Sequence, residues 1–275
     1  MTATAEPAAA TASLPALLLE HARERPDAVA LREKHRGRWR EFTWSQYALR
    51  VARTAHGLRA LGVEPGDRVA VHAENRPEWL VADLAIQGLG AITVGIYPTS
   101  PPAEVEYLLE HSGSVVLIAE DEEQLDKALA VREQLPDLRH IAVIDPRNVR
   151  ADVMTFEQLE AEGELRDYEV AVGQIDPEAT AVLVYTSGTT GPPKGAMLSH
   201  RNLHWASGRF REAFGTNAND EVLSYLPLCH VAERLSSSMN AIATGYVVNF
   251  GEGGESFPQD LRDVQPTIFG GVPRV

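Results

Sequence analysis

Residues 68–97 read RVAVHAENRPEWLVADLAIQGLGAITVGIY. Arg68 to His72 is a short run dominated by Val and Ala, as a strand covered on both faces would be. Pro77 suits the first turn of a helix, where its missing N–H would have no partner anyway, and a helix is predicted over Pro77 to Gln87. Gly88 and Gly90 close it, and a second apolar run, Ala91 to Tyr97, predicts another strand. Strand, helix and strand in succession make a βαβ unit, which requires parallel pairing because the crossover returns the chain in the same direction.

The alternation continues outward. Ala103 to Glu110 reads as helix, Val115 to Ala119 as strand, Asp121 to Gln134 as helix and Ile141 to Ile144 as strand. Toward the N-terminus, Leu14 opens a helix that Pro26 ends, and Val29 to Leu31 and Arg38 to Phe42 flank the Arg36-Gly37 turn as short strands. Thr43 with Gln46 forms a capping box, opening a helix striped by Trp44, Tyr47, Val51, Ala55 and Leu58 and closed by Gly62. These elements predict an α/β fold with a mostly parallel sheet and Rossmann-like βαβ layers. Residues 1–12, rich in Ala and Thr, are expected to be disordered. Residues 13–175 would form a first α/β subdomain, with Gly163 to Gln174 a connector and Asp176-Pro177 the boundary. Residues 176–275 would begin a second.

Composition removes several function classes. With Lys+Arg 25 against Asp+Glu 39, the net charge is −14, so binding nucleic acid through a general basic surface is not expected. One Cys in 275 residues rules out a disulfide framework and a Cys-rich metal site. The sequence has no apolar stretch of spanning length, and the N-terminus lacks a basic n-region. The expectation is a cytoplasmic protein without a transmembrane segment, with peripheral membrane association left open.

The chemistry is concentrated after Ala181 to Tyr185, an unbroken apolar strand. Thr186-Ser187-Gly188-Thr189-Thr190-Gly191-Pro192-Pro193-Lys194-Gly195 places four hydroxyls, three glycines and a lysine in ten residues. Glycines let successive N–H groups turn inward as an anion nest, hydroxyls add donors, and the lysine adds a point charge. A surface loop would explain the glycines but not the hydroxyls bunched with a lysine directly after a buried strand. The Walker pattern G-x-x-x-x-G-K-[ST] does not fit, because Gly195 follows Lys194. The global charge does not oppose a phosphate ligand: surface charges are screened beyond about 8 Å, whereas a lysine about 4 Å from phosphate gains on the order of 4 kcal/mol at an effective dielectric near 20.

Other candidates have plainer readings. Cys229-His230 suggests a nucleophile pair, but adjacent residues on an extended segment point apart and no acidic partner is evident. His200 and His204 have zinc spacing on a helix without a third ligand. Glu233 and Arg234 read by default as a solvated helix face. Trp44, Tyr47 and Trp79 fall on apolar stripes and belong to the core.

Tyr185 to Asn202, YTSGTTGPPKGAMLSHRN, resembles the signature loop of the adenylate-forming superfamily of acyl-CoA synthetases, firefly-type luciferases and nonribosomal adenylation domains. TWSQY, EPGDRVAVHAENRPEWLVADLA and IYPTSPPAEVEYLLEHS are similar to further stretches of that family. LPLCHVAERLSS (Leu226 to Ser237) and PTIFGGVPRV are similar to its long-chain fatty acid–CoA ligase branch. The resemblance implies the large N-terminal domain of those enzymes and a reaction in which a fatty acid, ATP and coenzyme A give acyl-AMP and then acyl-CoA. It implies that Thr186, Ser187, Gly188, Thr189, Thr190, Gly191 and Lys194 hold the β- and γ-phosphates, that Thr186 approaches Mg²⁺, and that His230 lies beside the acyl carboxylate as a donor. Lys194 and His230 are thus the expected catalytic residues. Family members continue through adenine-binding, ribose-binding and C-terminal catalytic motifs not found here, so the isolated chain is expected to be inactive. The alternatives are a non-catalytic short form that binds a nucleotide or acyl ligand, and an adenylating enzyme for a different acid.

Overall fold

A computed structural model describes residues 13–160, 163–186 and 191–271. Helix α1 (Leu14–Glu24) leads into the hairpin β1 (Val29–His35) and β2 (Arg38–Thr43), and then α2 (Trp44–Ala60). The βαβ series follows as β3 (Arg68–His72), α3 (Pro77–Gly88), β4 (Ile92–Ile96), α4 (Pro102–Ser112), β5 (Ser114–Ala119), α5 (Glu122–Leu129) and β6 (His140–Val143). Next come β7 (Met154–Thr155), α6 (Phe156–Leu159), α7 (Leu165–Val172), β8 (Thr180–Thr186), β9 (Lys194–Ser199), α8 (His200–Phe214), β10 (Glu221–Ser224) and β11 (Val247–Phe250). Helical segments Val231–Glu233, Arg234–Asn240 and Ala241–Thr244 lie between β10 and β11, and Phe257–Val264 follows.

The strands form two sheets. The larger has the order β7-β6-β5-β3-β4-β8-β9, and the smaller β10-β11-β1-β2. In the larger sheet only β9 runs antiparallel, on β8 at the edge; in the smaller, β2 alone does so, on β1. The capping box at Thr43 is formed in both directions: the Gln46 N–H donates to Thr43 Oγ1, and the Thr43 N–H to Gln46 Oε1.

One apolar core joins the facing sides of the two sheets, with Val69 and Val71 from β3, Val248 and Phe250 from β11, and α1, α2 and α3 between them. Helix α3 is buried on nearly every side, so its apolar residues are not confined to one stripe, and Asp83 and Gln87 lie inside with them. Trp44 and Trp79 are buried here, each worth about 4–6 kcal/mol of gross transfer energy at 25 cal/mol/Å². The opposite face of the large sheet, with Ala70, Val94, Ile96 and Leu117, is covered by Val105, Leu108 and Leu109 of α4 and Ala128 of α5.

Several expectations need correction. The helix predicted over Asp121 to Gln134 stops at Leu129 and resumes as a 3₁₀ turn over Arg132–Gln134. Pro136 has no N–H to give the Arg132 carbonyl and crowds it, so the 3₁₀ turn does not continue as α-helix. The segment read as a connector contains α7, held by the Tyr168 hydroxyl donating to the Leu84 carbonyl at 2.7 Å. Beyond Pro266, Ile268 contributes a single parallel bridge to Val222. Both sheets take strands from either side of residue 176: β8 pairs with β4, and β1 with β11. The disorder expected for residues 1–12 concerns a segment outside the described residues.

Candidate functional site

The apolar strand β8 ends at Thr186, whose antiparallel partner is Lys194, the first residue of β9. Strands β8 and β9 are therefore the two arms of a hairpin, and Thr186 and Lys194 stand opposite each other at its base, both exposed. Ser187, Gly188, Thr189 and Thr190 lie outside the described residues. Gly191 has φ +85°, a left-handed conformation that side chains resist.

Helix α4 braces this hairpin. The Tyr107 hydroxyl donates to the Pro193 carbonyl at 2.9 Å, and one helical turn later His111 Nδ1 lies 2.8 Å from the Tyr185 hydroxyl. Both strands at the loop are thus tied to one rigid helix. Tyr107 and His111 were not foreseen as supports. Their i,i+4 spacing on a helix was the available signal, but nothing in it named the loop as their target.

His230 sits one strand away. Gly95 of β4, the neighbour of β8, is where Cys229 packs: a Cβ on Gly95 would lie 2.8 Å from Cys229 Cβ and 2.9 Å from its Cα. Cys229 therefore lies against β4 near its C-terminal end, with His230 the next residue in the chain, while Thr186 ends β8 alongside. Parallel α/β sheets present their ligand sites at such strand ends. Cys229 is buried and desolvation pushes its thiol up to about 12, which removes the nucleophile-pair reading. His230 is exposed and caps the helix that follows, its Nδ1 accepting the Ala232 N–H at 3.2 Å. A neutral imidazole accepting at Nδ1 carries its proton on Nε2, so the free edge of the ring is a hydrogen-bond donor.

The segment before His230 is clamped by Asn75, another residue not singled out from the sequence. Its Nδ2 donates to Ser224 Oγ at 2.8 Å and to the Leu226 carbonyl at 2.7 Å, and its Oδ1 accepts the Leu228 N–H at 3.0 Å. An Asn between a strand and a Pro-started helix reads locally as a turn residue, which hid this role.

Glu233 and Arg234 are not a solvated face; both are buried. Glu233 Oε1 accepts from Ser224 Oγ at 2.7 Å and from Ser237 Oγ. Burial pushes its carboxyl above the usual range, against the lowering effect of these hydrogen bonds. Arg234 donates to Asp83 Oδ1 on α3 at 2.9 Å and lies over the Trp79 ring, 4.7 Å from its centroid. Desolvation lowers its guanidinium, and Asp83 opposes that shift. Gln87 and Ser238 also donate to Asp83, while Arg234 Nε is buried without a partner among the described residues.

His200 and His204 lie one turn apart on α8. His200 is buried, and neither of its ring nitrogens has a partner among the described residues. No group of three or more His, Cys, Asp or Glu side chains among the described residues is arranged to hold a metal ion.

Comparison with known proteins gives a consistent set of likenesses. A family model described as AMP-binding enzyme matches residues 18–275. Long-chain-fatty-acid–CoA ligase ACSBG1 of Homo sapiens is 35% identical over 266 residues, covering 90% of this chain and 36% of that protein. Long-chain-fatty-acid–CoA ligase FadD15 of Mycobacterium tuberculosis is 34% identical over 264 residues, covering 94% of this chain and 43% of that protein. The chain therefore spans well under half of these relatives. Among solved structures, the anthranilate CoA ligase AuaEII in complex with anthranoyl-AMP matches with a TM-score of 0.83 at 25% identity, over 94% of this chain and 49% of that one. The long-chain-fatty-acid–CoA ligase FadD1 of Archaeoglobus fulgidus matches with a TM-score of 0.80 at 20% identity, over 93% and 50%.

Proposed function

Since the chain belongs to the AMP-binding enzyme family, we propose that it is the N-terminal, phosphate-handling part of a cytoplasmic long-chain fatty acid–CoA ligase. The observation that carries this is the hairpin: a buried strand, a loop of hydroxyls and glycines, and Lys194 facing Thr186, braced from α4 by Tyr107 and His111. The fatty-acid carboxylate attacks the α-phosphorus of ATP and the bond to pyrophosphate breaks. The coenzyme A thiolate then attacks the acyl carbonyl and AMP leaves. Charge gathers on pyrophosphate in the first step, and preorganised N–H and hydroxyl donors with a lysine stabilise it without reorganising.

Thr186 to Gly191 and Lys194 would receive the β- and γ-phosphates. Thr186, exposed at the base of the hairpin, would offer Mg²⁺ a neutral oxygen; this ion takes much of its shell from substrate phosphates and water and would neutralise phosphate charge there. His230 would donate from Nε2 to an oxygen of the acyl carboxylate and of the adenylate that follows. We place the complete reaction in the intact ligase and not in these 275 residues, which span 36% and 43% of the two relatives. No helix among the described residues is long and apolar enough to cross a membrane.

The test is product analysis. Supplied with ATP, Mg²⁺, coenzyme A and a long-chain fatty acid, the intact ligase should yield AMP, pyrophosphate and acyl-CoA in equal amounts. Release of ADP and phosphate instead would overturn the reading.

A further inference from the structure

We propose that Glu233 and Arg234 are positioning residues for His230: they fix the start of the helix that carries it, and so hold the imidazole as an Nε2–H donor at one height over the strand ends. This rests on the reading of His230 given above and deepens it.

The geometry is specific to this turn. The Arg234 N–H donates to the His230 carbonyl at 3.1 Å, closing the first helical turn, while the Ala232 N–H donates to the His230 ring. Ahead of the turn, Cys229 packs on Gly95 and Asn75 holds Leu228, but His230 and Val231 are exposed, Val231 42% so. What anchors the turn from its C-terminal side is the pair of charged side chains beneath. Glu233 ties the turn to Ser224, the last residue of β10, and to Ser237 in the next turn. Arg234 ties it to Asp83 in the middle of α3, 151 residues away in sequence.

These two anchors point to different elements, β10 and α3, so together they set both the position and the rotation of the helix start. The following segment, Arg234–Asn240, is wound as a π-helix. Its wider turn places Arg234, Ser237 and Ser238 on the buried side together, where Asp83 and Glu233 need donors. π-Helical turns cost hydrogen-bond geometry and are found mostly where a side-chain placement needs them. Hydrophobic residues of similar volume would bury as well here, but they would permit sliding by a fraction of a turn. Directed hydrogen bonds do not.

The test uses the intact ligase with three variants: His230→Ala, Glu233→Gln, and the double replacement Asp83→Leu with Arg234→Met. The last removes the ion pair while keeping apolar volume, a change that proteins commonly tolerate without loss of stability. The readouts are ATP–pyrophosphate exchange, resolved into kcat and KM for ATP, the thermal midpoint, and hydrogen exchange at the Ala232 amide. The expected results for the double variant are a folded protein with a thermal midpoint lowered by a few degrees as the buried Gln87 donor loses its acceptor, faster exchange at Ala232, unchanged KM for ATP, and kcat lower by about tenfold to a hundredfold, as for a misplaced reacting group. Glu233→Gln, which keeps the acceptor oxygen, should retain kcat within about threefold. Full kcat and full Ala232 protection in a folded double variant would overturn the proposal. If the double variant does not fold, a fourth variant, Glu233→Ala, carries the test: faster exchange at Ala232 with reduced kcat, both restored in Glu233→Gln, would support the proposal, whereas full protection and full kcat in Glu233→Ala would overturn it. Normal exchange kinetics in His230→Ala would instead remove His230 from the chemistry, a separate failure of the underlying reading.

Discussion

Replacing Asn75 with Ala should loosen the segment that leads to His230. The side chain makes three hydrogen bonds, two from Nδ2 and one to Oδ1, all to the 224–228 turn and all between 2.7 and 3.0 Å. At about 1 kcal/mol net for each, the loss is about 3 kcal/mol. A chain of 275 residues unfolds with an entropy near 0.6 kcal/mol/K, taking about 2.1 cal/mol/K per residue, so the midpoint should fall by about 5 °C. Asn75→Asp should not rescue it: a carboxylate still accepts from Leu228 but faces the Leu226 carbonyl with an acceptor in place of a donor. Differential scanning calorimetry of the two variants against the parent chain measures this directly. A shift below about 1 °C for Asn75→Ala, equivalent to about 0.6 kcal/mol, would refute the clamp.

Lys194→Ala should lower fatty-acid-dependent exchange in the intact ligase by about two to three powers of ten, the usual loss for one transition-state donor; an unchanged rate would exclude it from the mechanism. Gly95→Ala drives a methyl to within 2.9 Å of Cys229 Cα and should cost about 1–3 kcal/mol by overpacking, measured by urea denaturation, with wild-type stability as the contrary result. Burial holds the imidazoles of His72 and His200 down at about 4 from 6.5. Between those values the unfolded chain binds more protons, so stability rises with pH across that window and is lost as pH falls through it, by roughly 3 kcal/mol per histidine. His200→Gln should remove about half of that slope in urea titrations between about pH 4 and 6.5, and an unchanged slope would contradict the assignment.

The βαβ core was legible because each of its elements carries a local signature. Strands β3 and β5 are apolar runs, α2 has its capping box, and α3 begins at a proline. What escaped depends on partners far away in the chain. Strand β9, KGAMLS, lies at a sheet edge and is mostly exposed, so it has no buried face to impose alternation. That strand is what turns the glycine-rich loop into a hairpin and sets Lys194 opposite Thr186. Sequence order put both residues in one loop but could not pair them. The parallel pairing of β1 with β11 joins residues more than two hundred apart. Glu233 and Arg234 show the same limit more sharply: charged residues at the start of a helix default to solvent, and only Asp83 on α3 and Ser224 at the end of β10 reveal why they are inside.

The central claim is that these residues serve the activation of a fatty acid by ATP. It is tested most directly by ATP–pyrophosphate exchange in the intact ligase without coenzyme A, with and without a long-chain fatty acid. Exchange that appears only when the acid is present, and that Lys194→Ala lowers by about two to three powers of ten, is the predicted result. Exchange with no acid present, or none with any carboxylic acid offered, would contradict it.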